Sequence, residues 1–215
     1  MKTMYIAERE HLVKRLKREG YIKSGAVEKA FLETPREAFV SESLKTCAYV
    51  DTPLEIGEGQ TISAPHMVAI MCEALGAKQG QHVLEIGAGS GYHAAIVSRL
   101  VGDMGRVYTV ERFSSLADRA RKNLKTVNIT NVTVLVGDGS EGLEEYAPYD
   151  RIYVTCAAPK IPQPLIDQLK DTGILLIPVG RLMCTLKSVE KKGSQILVRD
   201  HGGCVFVPLV GKHGF

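Results

Sequence analysis

The fold of this chain is decided by the stretch Val83-Leu-Glu-Ile-Gly-Ala-Gly-Ser-Gly-Tyr92, in which an apolar run passes through three alternate glycines into a helical pattern. Glycine has no Cβ, so such a turn lets a ligand lie directly against the backbone. Free N–H groups at the start of the following helix favour a polar or anionic group. The stretch therefore predicts a nucleotide or nucleoside site at the carboxyl end of a parallel strand.

Downstream of this turn, short apolar runs alternate with helical patterns. The predicted strands are 82–86, 106–110, 132–136, 151–155 and 174–179, and the predicted helices are 92–101, 114–127 and 162–169. This alternation predicts an α/β fold, a mostly parallel sheet with helices on both faces. Three further runs at 185–190, 195–200 and 204–209 are separated by glycine turns and predict antiparallel strands at one edge.

The N-terminal third has weaker signals. Helices are predicted over residues 4–19 and from an N-cap at Ser24 to a stop at Pro35, whereas 37–59 indicates an irregular connection. A third helix begins near Ser63-Ala64-Pro65. On physics alone Ser63 is either its N-cap or a hydroxyl that receives a substrate carboxylate beside free N–H groups, and His66 lies on the helix surface.

The composition indicates an ordinary globular chain. With 215 residues, 45% hydrophobic residues and a net charge of +3, it suits one domain and gives no sign of a nucleic-acid partner. No apolar run is long enough to span a membrane, and the N-terminus becomes charged too early for a secretory signal. Five scattered cysteines favour reduced thiols in the cytoplasm, and neither cysteine nor histidine spacing predicts a metal site.

An acidic residue lies at or near the end of each of three successive predicted strands. Glu111 lies where a carboxylate can accept both hydroxyls of a ribose, and Asp138, between Gly137 and Gly139, can either accept from an adenine amino group or form a β-turn. Glu85 either orients the cationic end of a cofactor or is a buried acid paired with a backbone N–H. The spacing G-x-G-x-G differs from the dinucleotide fingerprint, which makes a nicotinamide oxidoreductase less favoured.

These residues resemble the cofactor site of the class I methyltransferases, which use S-adenosylmethionine. A more specific resemblance, to the protein-L-isoaspartate (D-aspartate) O-methyltransferases, rests on motifs spread over nearly the whole chain. The motifs are 60–67, 84–92, 137–140, 149–159, 177–180 and 206–209.

The resemblance implies a Rossmann-like doubly wound fold and a repair activity. Such enzymes methylate the α-carboxylate of an isoaspartyl residue, and the ester cyclises to a succinimide that can hydrolyse to aspartate. The protein partners are isoaspartyl-containing proteins and peptides. One domain, 1–215, is expected to comprise N-terminal helices with a substrate-side segment (1–76), a cofactor core (77–180) and edge strands (181–215).

The same resemblance assigns the site residues. The family's essential serine falls on Ser63. Cofactor contacts fall on Gly87, Ala88, Gly89, Gly91, Glu111, Asp138 and Gly139, and the position of Glu85 just before the loop adds it to this set. Substrate contacts fall on Thr61, Ile62, Ser63, His66, Val205, Phe206 and Val207. Other members carry an aromatic residue in place of His66, so the resemblance gives it no catalytic role, and residues 183–193 match no motif.

Three alternatives remain open at this point. The chain can be a class I methyltransferase for a small molecule or RNA, the nicotinamide enzyme already mentioned, or a non-catalytic binding module. We expect a monomer without a metal ion, and no covalent intermediate on Ser63, because no base with an orienting partner stands near it in sequence.

Overall fold

The computed structural model describes residues 2–193 and 195–215. Its helices are α1 (Lys2–Arg18), α2 (Gly25–Glu33), α3 (Pro65–Leu75), α4 (Tyr92–Val101), α5 (Ser114–Thr126) and α6 (Gln163–Asp167). Its strands are β1 (Leu54–Gly57), β2 (Gln60–Ile62), β3 (His82–Ile86), β4 (Arg106–Glu111), β5 (Val132–Val136), β6 (Tyr149–Val154), β7 (Leu169–Gly180), β8 (Cys184–Lys192) and β9 (Gln195–Cys204). Short 3₁₀ helices occupy 36–39, 42–47, 139–141 and 144–146.

The main sheet has seven strands in the order β5-β4-β3-β6-β7-β8-β9. The strands from β5 to β7 are parallel, and β8 and β9 are antiparallel additions at the edge. This confirms the predicted mostly parallel, doubly wound sheet with antiparallel C-terminal strands. In register, Ile86 lies beside Val110 on one neighbour and Val154 on the other, so the loops that follow these strands meet at one edge.

Alternate residues of the central strands feed two buried layers. Val83 and Val107 belong to the layer that contains residues of α1 to α5, whereas Leu84 and Val110 belong to the layer that contains Leu165 of α6. Strands buried on both faces need continuous apolar sequence, which is why the core strands were recognisable. The predicted cap of α2 is also confirmed, because the Ser24 hydroxyl accepts from Val27 N at 3.3 Å.

Two predictions of secondary structure were wrong. Residues 204–209 do not form a strand: β9 runs on through the glycines to Cys204, and the following segment makes only a local bridge in which Ala157 N donates to Val207 O and Leu209 N to Ala157 O. The connection over 37–59 is more regular than expected, because β1 pairs with β2 in a hairpin. Its turn holds Gly57, Glu58 and Gly59, all at positive φ.

Among the residues that the structure describes, no helix is both long and apolar enough to cross a membrane. The same residues contain no cluster of three or more histidine, cysteine or acidic side chains suited to a metal ion. All five cysteines are free thiols.

Candidate active site

A cavity lies at the carboxyl ends of β3, β4 and β6, where the register brings the strand ends together. Predicted site residues form much of its lining: Thr61, Ile62, Ser63, Gly87, Ala88, Gly89, Glu111, Gly139 and Val207. The structure does not bring Glu85, Gly91, His66, Asp138, Val205 or Phe206 to this lining. The cofactor loop and the segment carrying Ser63 thus face one cavity, although they are distant in sequence.

The backbone of Gly87 is shaped by its neighbour across the sheet. Its φ is +96°, its N–H donates to Val110 O at 2.8 Å, and the Thr155 hydroxyl donates to its carbonyl at 2.7 Å. A Cβ added at Gly87 would collide with that hydroxyl oxygen. Both the dihedral and the close approach therefore require glycine here. Gly91 has a structural role instead, as the left-handed residue that precedes α4.

Glu111 fixes the loop from the neighbouring strand. One carboxylate oxygen accepts from Gly89 N at 2.9 Å and the other accepts from Phe113 N at 3.1 Å. The residue is buried and lines the cavity. Each carboxylate oxygen has a second lone pair, so this side chain can still accept hydrogen bonds from the hydroxyls of a ribose. Glycine loop and acid together fit an adenosyl cofactor.

Glu85 lies behind the loop rather than in the cavity. It is fully buried and accepts a hydrogen bond of 2.5 Å from the Thr109 hydroxyl. Its partner is therefore a hydroxyl and not the backbone N–H that one alternative expected. Burial raises the pKa of Glu85 to about 8, because a low-dielectric interior disfavours the charged carboxylate.

The Asp138 carboxylate, for which an adenine contact was one expectation, makes three hydrogen bonds within the protein. One carboxylate oxygen accepts from the N–H and the hydroxyl of Ser140, at 2.9 and 2.7 Å, and the other accepts from Lys212 N at 2.8 Å. These bonds lower the pKa of Asp138 against the opposing effect of desolvation. Asp138 thus forms the turn that was the alternative reading and ties the C-terminal segment to the end of β5, while its neighbour Gly139 reaches the cavity.

Ser63 is not the N-cap of α3, which is a correction of the sequence prediction. The capping position is Ala64, and Pro65 is the first helical residue. The next N–H groups are all used, because His66 N donates to Asp51 Oδ1 at 2.9 Å and the amides of residues 67 and 68 donate to Ala64 O. Within the described chain the Ser63 hydroxyl has no hydrogen-bond partner.

The remaining predicted substrate residues flank the cavity. His66 is half-buried, with Nδ1 3.0 Å from Asp51 Oδ1 and its ring 5.5 Å from that of Tyr21. Val205 is exposed, Phe206 packs against the core, and Val207 alone of the three lines the cavity. The bridge between Ala157 and the segment after β9 brings Val207 to this place.

Several lining residues were missed by sequence reasoning. They include Tyr92, His93, Phe113, Thr155 and Cys156. Thr155 and Cys156 directly follow β6, the strand beside β3, so the rule that parallel strand ends meet at one edge was the available signal. His93 is buried 4.5 Å from the Tyr153 ring, and burial lowers its pKa to about 3, which makes it neutral near physiological pH.

The mostly parallel sheet, the glycine loop after β3 and the carboxylate at the end of β4 fit the adenosine-containing cofactor of a class I S-adenosylmethionine-dependent methyltransferase. The family model described as protein-L-isoaspartate(D-aspartate) O-methyltransferase matches residues 7–214. This chain belongs to that family.

Individual relatives bear the name of the same enzyme family. A protein-L-isoaspartate O-methyltransferase of Methanocella arvoryzae is 60% identical over 181 residues, covering 84% of this chain and 96% of the relative. The protein of that name from Methanopyrus kandleri is 58% identical over 210 residues, covering 96% and 93% of the two chains.

Solved structures give the same result. One protein-L-isoaspartate O-methyltransferase superposes with a TM-score of 0.88 at 35% identity, covering 96% of this chain and 67% of the other. A Plasmodium falciparum protein described as such an enzyme, crystallised with S-adenosyl-L-homocysteine, has a TM-score of 0.85 at 28% identity and coverages of 94% and 98%.

Proposed function

We propose that this chain repairs damaged proteins as a protein-L-isoaspartate O-methyltransferase in which Ser63 positions the substrate. It transfers a methyl group from S-adenosylmethionine to the α-carboxylate of L-isoaspartyl residues, which forms a methyl ester and leaves S-adenosyl-L-homocysteine. The observation that carries the assignment of Ser63 is its placement: a hydroxyl without a partner in the described chain faces the same cavity as the Gly87–Gly91 loop.

The cofactor supplies, when bound, a methyl group already activated by its attachment to a positively charged sulfur. A substrate carboxylate is ionised near neutral pH and needs no general base. The Ser63 hydroxyl donates a hydrogen bond to one oxygen of the substrate carboxylate and leaves the other oxygen free to attack the methyl group. Its contribution is orientation, which is the main source of acceleration when two reactants are held in line.

The cofactor is held by residues of three strand ends. Glu111 accepts from the ribose hydroxyls, and the loop of Gly87, Ala88 and Gly89 gives close backbone contact to the rest of the molecule. Gly139 lies at the adenine end, and Asp138 contributes by holding the turn that contains Gly139. Glu85 accepts from Thr109 of β4 and acts on the cationic end of the cofactor only indirectly, since it is fully buried.

The substrate peptide is received between two segments. Thr61, Ile62 and Ser63 supply one wall and Val207 supplies the other. Val205 and Phe206 directly precede Val207, and we expect them to contact the residues that flank the damaged site. His66 is held by Asp51 at the cavity's margin, and we assign it no chemical role.

The test is a methyl-transfer assay with paired peptides that differ only in containing an aspartyl or an isoaspartyl residue. Labelled S-adenosylmethionine should give base-labile methyl esters on the isoaspartyl peptide alone. A third peptide with D-aspartate measures whether that residue is also accepted. Cofactor binding without transfer would identify a binding module, and transfer to RNA or a small molecule in place of the peptide would contradict the repair function.

We further propose that the chain acts as one domain, as a monomer, in the cytoplasm and without nucleic acid. Five free thiols agree with a reducing compartment, and the mild net charge of +3 gives no reason for a polyanionic partner. Sedimentation of the purified protein tests the monomer.

A further inference from the structure

The carboxylate of Asp51 contacts the beginning of α3 at His66, which lies fifteen residues later in the sequence. Its Oδ1 accepts from His66 N at 2.9 Å and lies 3.0 Å from His66 Nδ1. Its Oδ2 lies 3.6 Å from a guanidinium nitrogen of Arg15, and the side chain is mostly buried. The carboxylate is therefore oriented from both sides, by α3 and by α1.

The N–H that Asp51 binds lies at the position that a capping Ser63 would use. A capping serine accepts from the backbone N–H two or three positions further on, and Ser24 does so at α2 with Val27 N. The same spacing separates Ser63 from His66. Because the Asp51 carboxylate already accepts from that N–H, Ser63 is released from capping, and α3 begins one residue later, after Ala64.

We propose that Asp51 is a positioning residue for methyl transfer, because it caps α3 in place of Ser63 and so keeps the Ser63 hydroxyl directed to the substrate carboxylate. This inference rests on the proposed role of Ser63. Without Asp51, His66 N would be left without an acceptor at the helix start, and Ser63 stands three residues before it, at the spacing from which a serine caps. A hydroxyl turned to the helix no longer holds the substrate.

The experiment combines substitutions at Asp51 and Ser63. Asp51→Ala should lower kcat/KM for the isoaspartyl peptide about tenfold while the calorimetric Kd for S-adenosyl-L-homocysteine stays within about twofold. Asp51→Asn keeps an oxygen that accepts from His66 N, so it should retain kcat/KM within about threefold of the parent. In the Ser63→Ala background, Asp51→Ala should cause almost no further loss, because its effect is exerted through Ser63.

A matched control removes a comparable helix cap elsewhere. Ser24→Ala takes away the cap of α2, so it should lower Tm and leave both kcat and KM unchanged. Losses at Asp51 and Ser63 that multiply in the double variant would overturn the inference, and so would parental kinetics of Asp51→Ala. A loss in Asp51→Asn as large as in Ser63→Ala would also overturn it, even if Asp51→Ala does not fold. Full activity of Ser63→Ala alone would instead refute the proposed role of Ser63.

Discussion

The carboxylate of Glu111 accepts a hydrogen bond from the backbone N–H of Gly89 across 2.9 Å, so the end of β4 holds the loop that follows β3. Its other oxygen accepts from Phe113 N. One side chain therefore shapes the glycine loop and faces the cavity in which the cofactor's sugar would lie. Removal of this carboxylate affects the site twice, through the loop and through the ligand.

Glu111→Gln should weaken the binding of S-adenosyl-L-homocysteine by about 30-fold, which corresponds to about 2 kcal/mol for hydrogen bonds to a charged acceptor. In the variant an amide NH2 group replaces one of the two oxygens that now accept from backbone N–H groups. One hydrogen bond is therefore lost and the loop moves. Isothermal titration calorimetry measures the change. Glu144→Gln, at an exposed position away from the cavity, is the control and should bind normally. Unaltered affinity in Glu111→Gln would show that the loop keeps its shape without the charge.

Ser63→Ala should reduce methyl transfer to the isoaspartyl peptide by about 100-fold or more, since the substrate carboxylate loses its orienting donor. The Kd for S-adenosyl-L-homocysteine should remain near the parental value, because the adenosyl loop is built from other segments. Ser43→Ala removes a hydroxyl that bonds only the nearby Ser41 among described residues, and should change neither quantity. A cofactor affinity that falls in step with activity would mean that Ser63 shapes the cavity rather than the substrate.

Gly87→Ala and Gly57→Ala separate two reasons for a glycine at positive φ: the backbone angle itself and the lack of room for a Cβ. The φ angles are nearly equal, +96° and +93°, but a Cβ meets Thr155 only at Gly87, whereas nothing lies near it at Gly57. Gly57→Ala should lower the free energy of unfolding by about 1–2 kcal/mol, the ordinary cost of this backbone region. Gly87→Ala should cost more and should also abolish the rise in Tm that S-adenosyl-L-homocysteine produces. Equal losses in urea denaturation would contradict the steric argument.

Glu85→Gln should become more stable relative to the parent as the pH rises. The pKa of Glu85 is raised to about 8 by burial, above its value in the unfolded chain. Between the unfolded value near 4.3 and pH 8 the unfolded chain has released a proton that the folded one keeps, so stability declines through this window by about 1.4 kcal/mol per pH unit. The glutamine variant lacks this decline. Urea unfolding at pH 5, 6.5 and 8 measures the decline. Parallel pH profiles of the variant and the parent would mean that Glu85 is ionised in the folded protein.

The sequence was most informative where burial imposes a pattern. The strands that contain Glu85 and Glu111 carry buried apolar residues on both faces, and the loop requires backbone shapes that glycine adopts most readily, so both could be recognised without coordinates. The β1–β2 hairpin was harder to predict. Its strands, Leu54–Gly57 and Gln60–Ile62, are too short for a clear hydrophobic period, although glycines mark the turn.

The roles of individual polar groups were harder to predict, because they depend on partners that are distant in sequence. Ser63 has every local feature of a helix cap, and only the tertiary placement of Asp51 explains why it is not one. Asp138 likewise ends a strand as a cofactor acid would, but Lys212, from the far end of the chain, takes one of its oxygens. Local propensity identified these residues as important and could not assign their partners.

The same hairpin has a further consequence for how the two ligands bind. Ile56 packs against the open side of Gly89, and Glu58 accepts from the Ser115 hydroxyl at 2.7 Å, so the segment before Ser63 is fastened to the loop and to α5. The segment that carries Ser63 is therefore joined to the loop that lines the cofactor's end of the same cavity. A peptide that moved this hairpin would move the loop with it, and the two affinities would then be thermodynamically linked, each changing the other by the same factor.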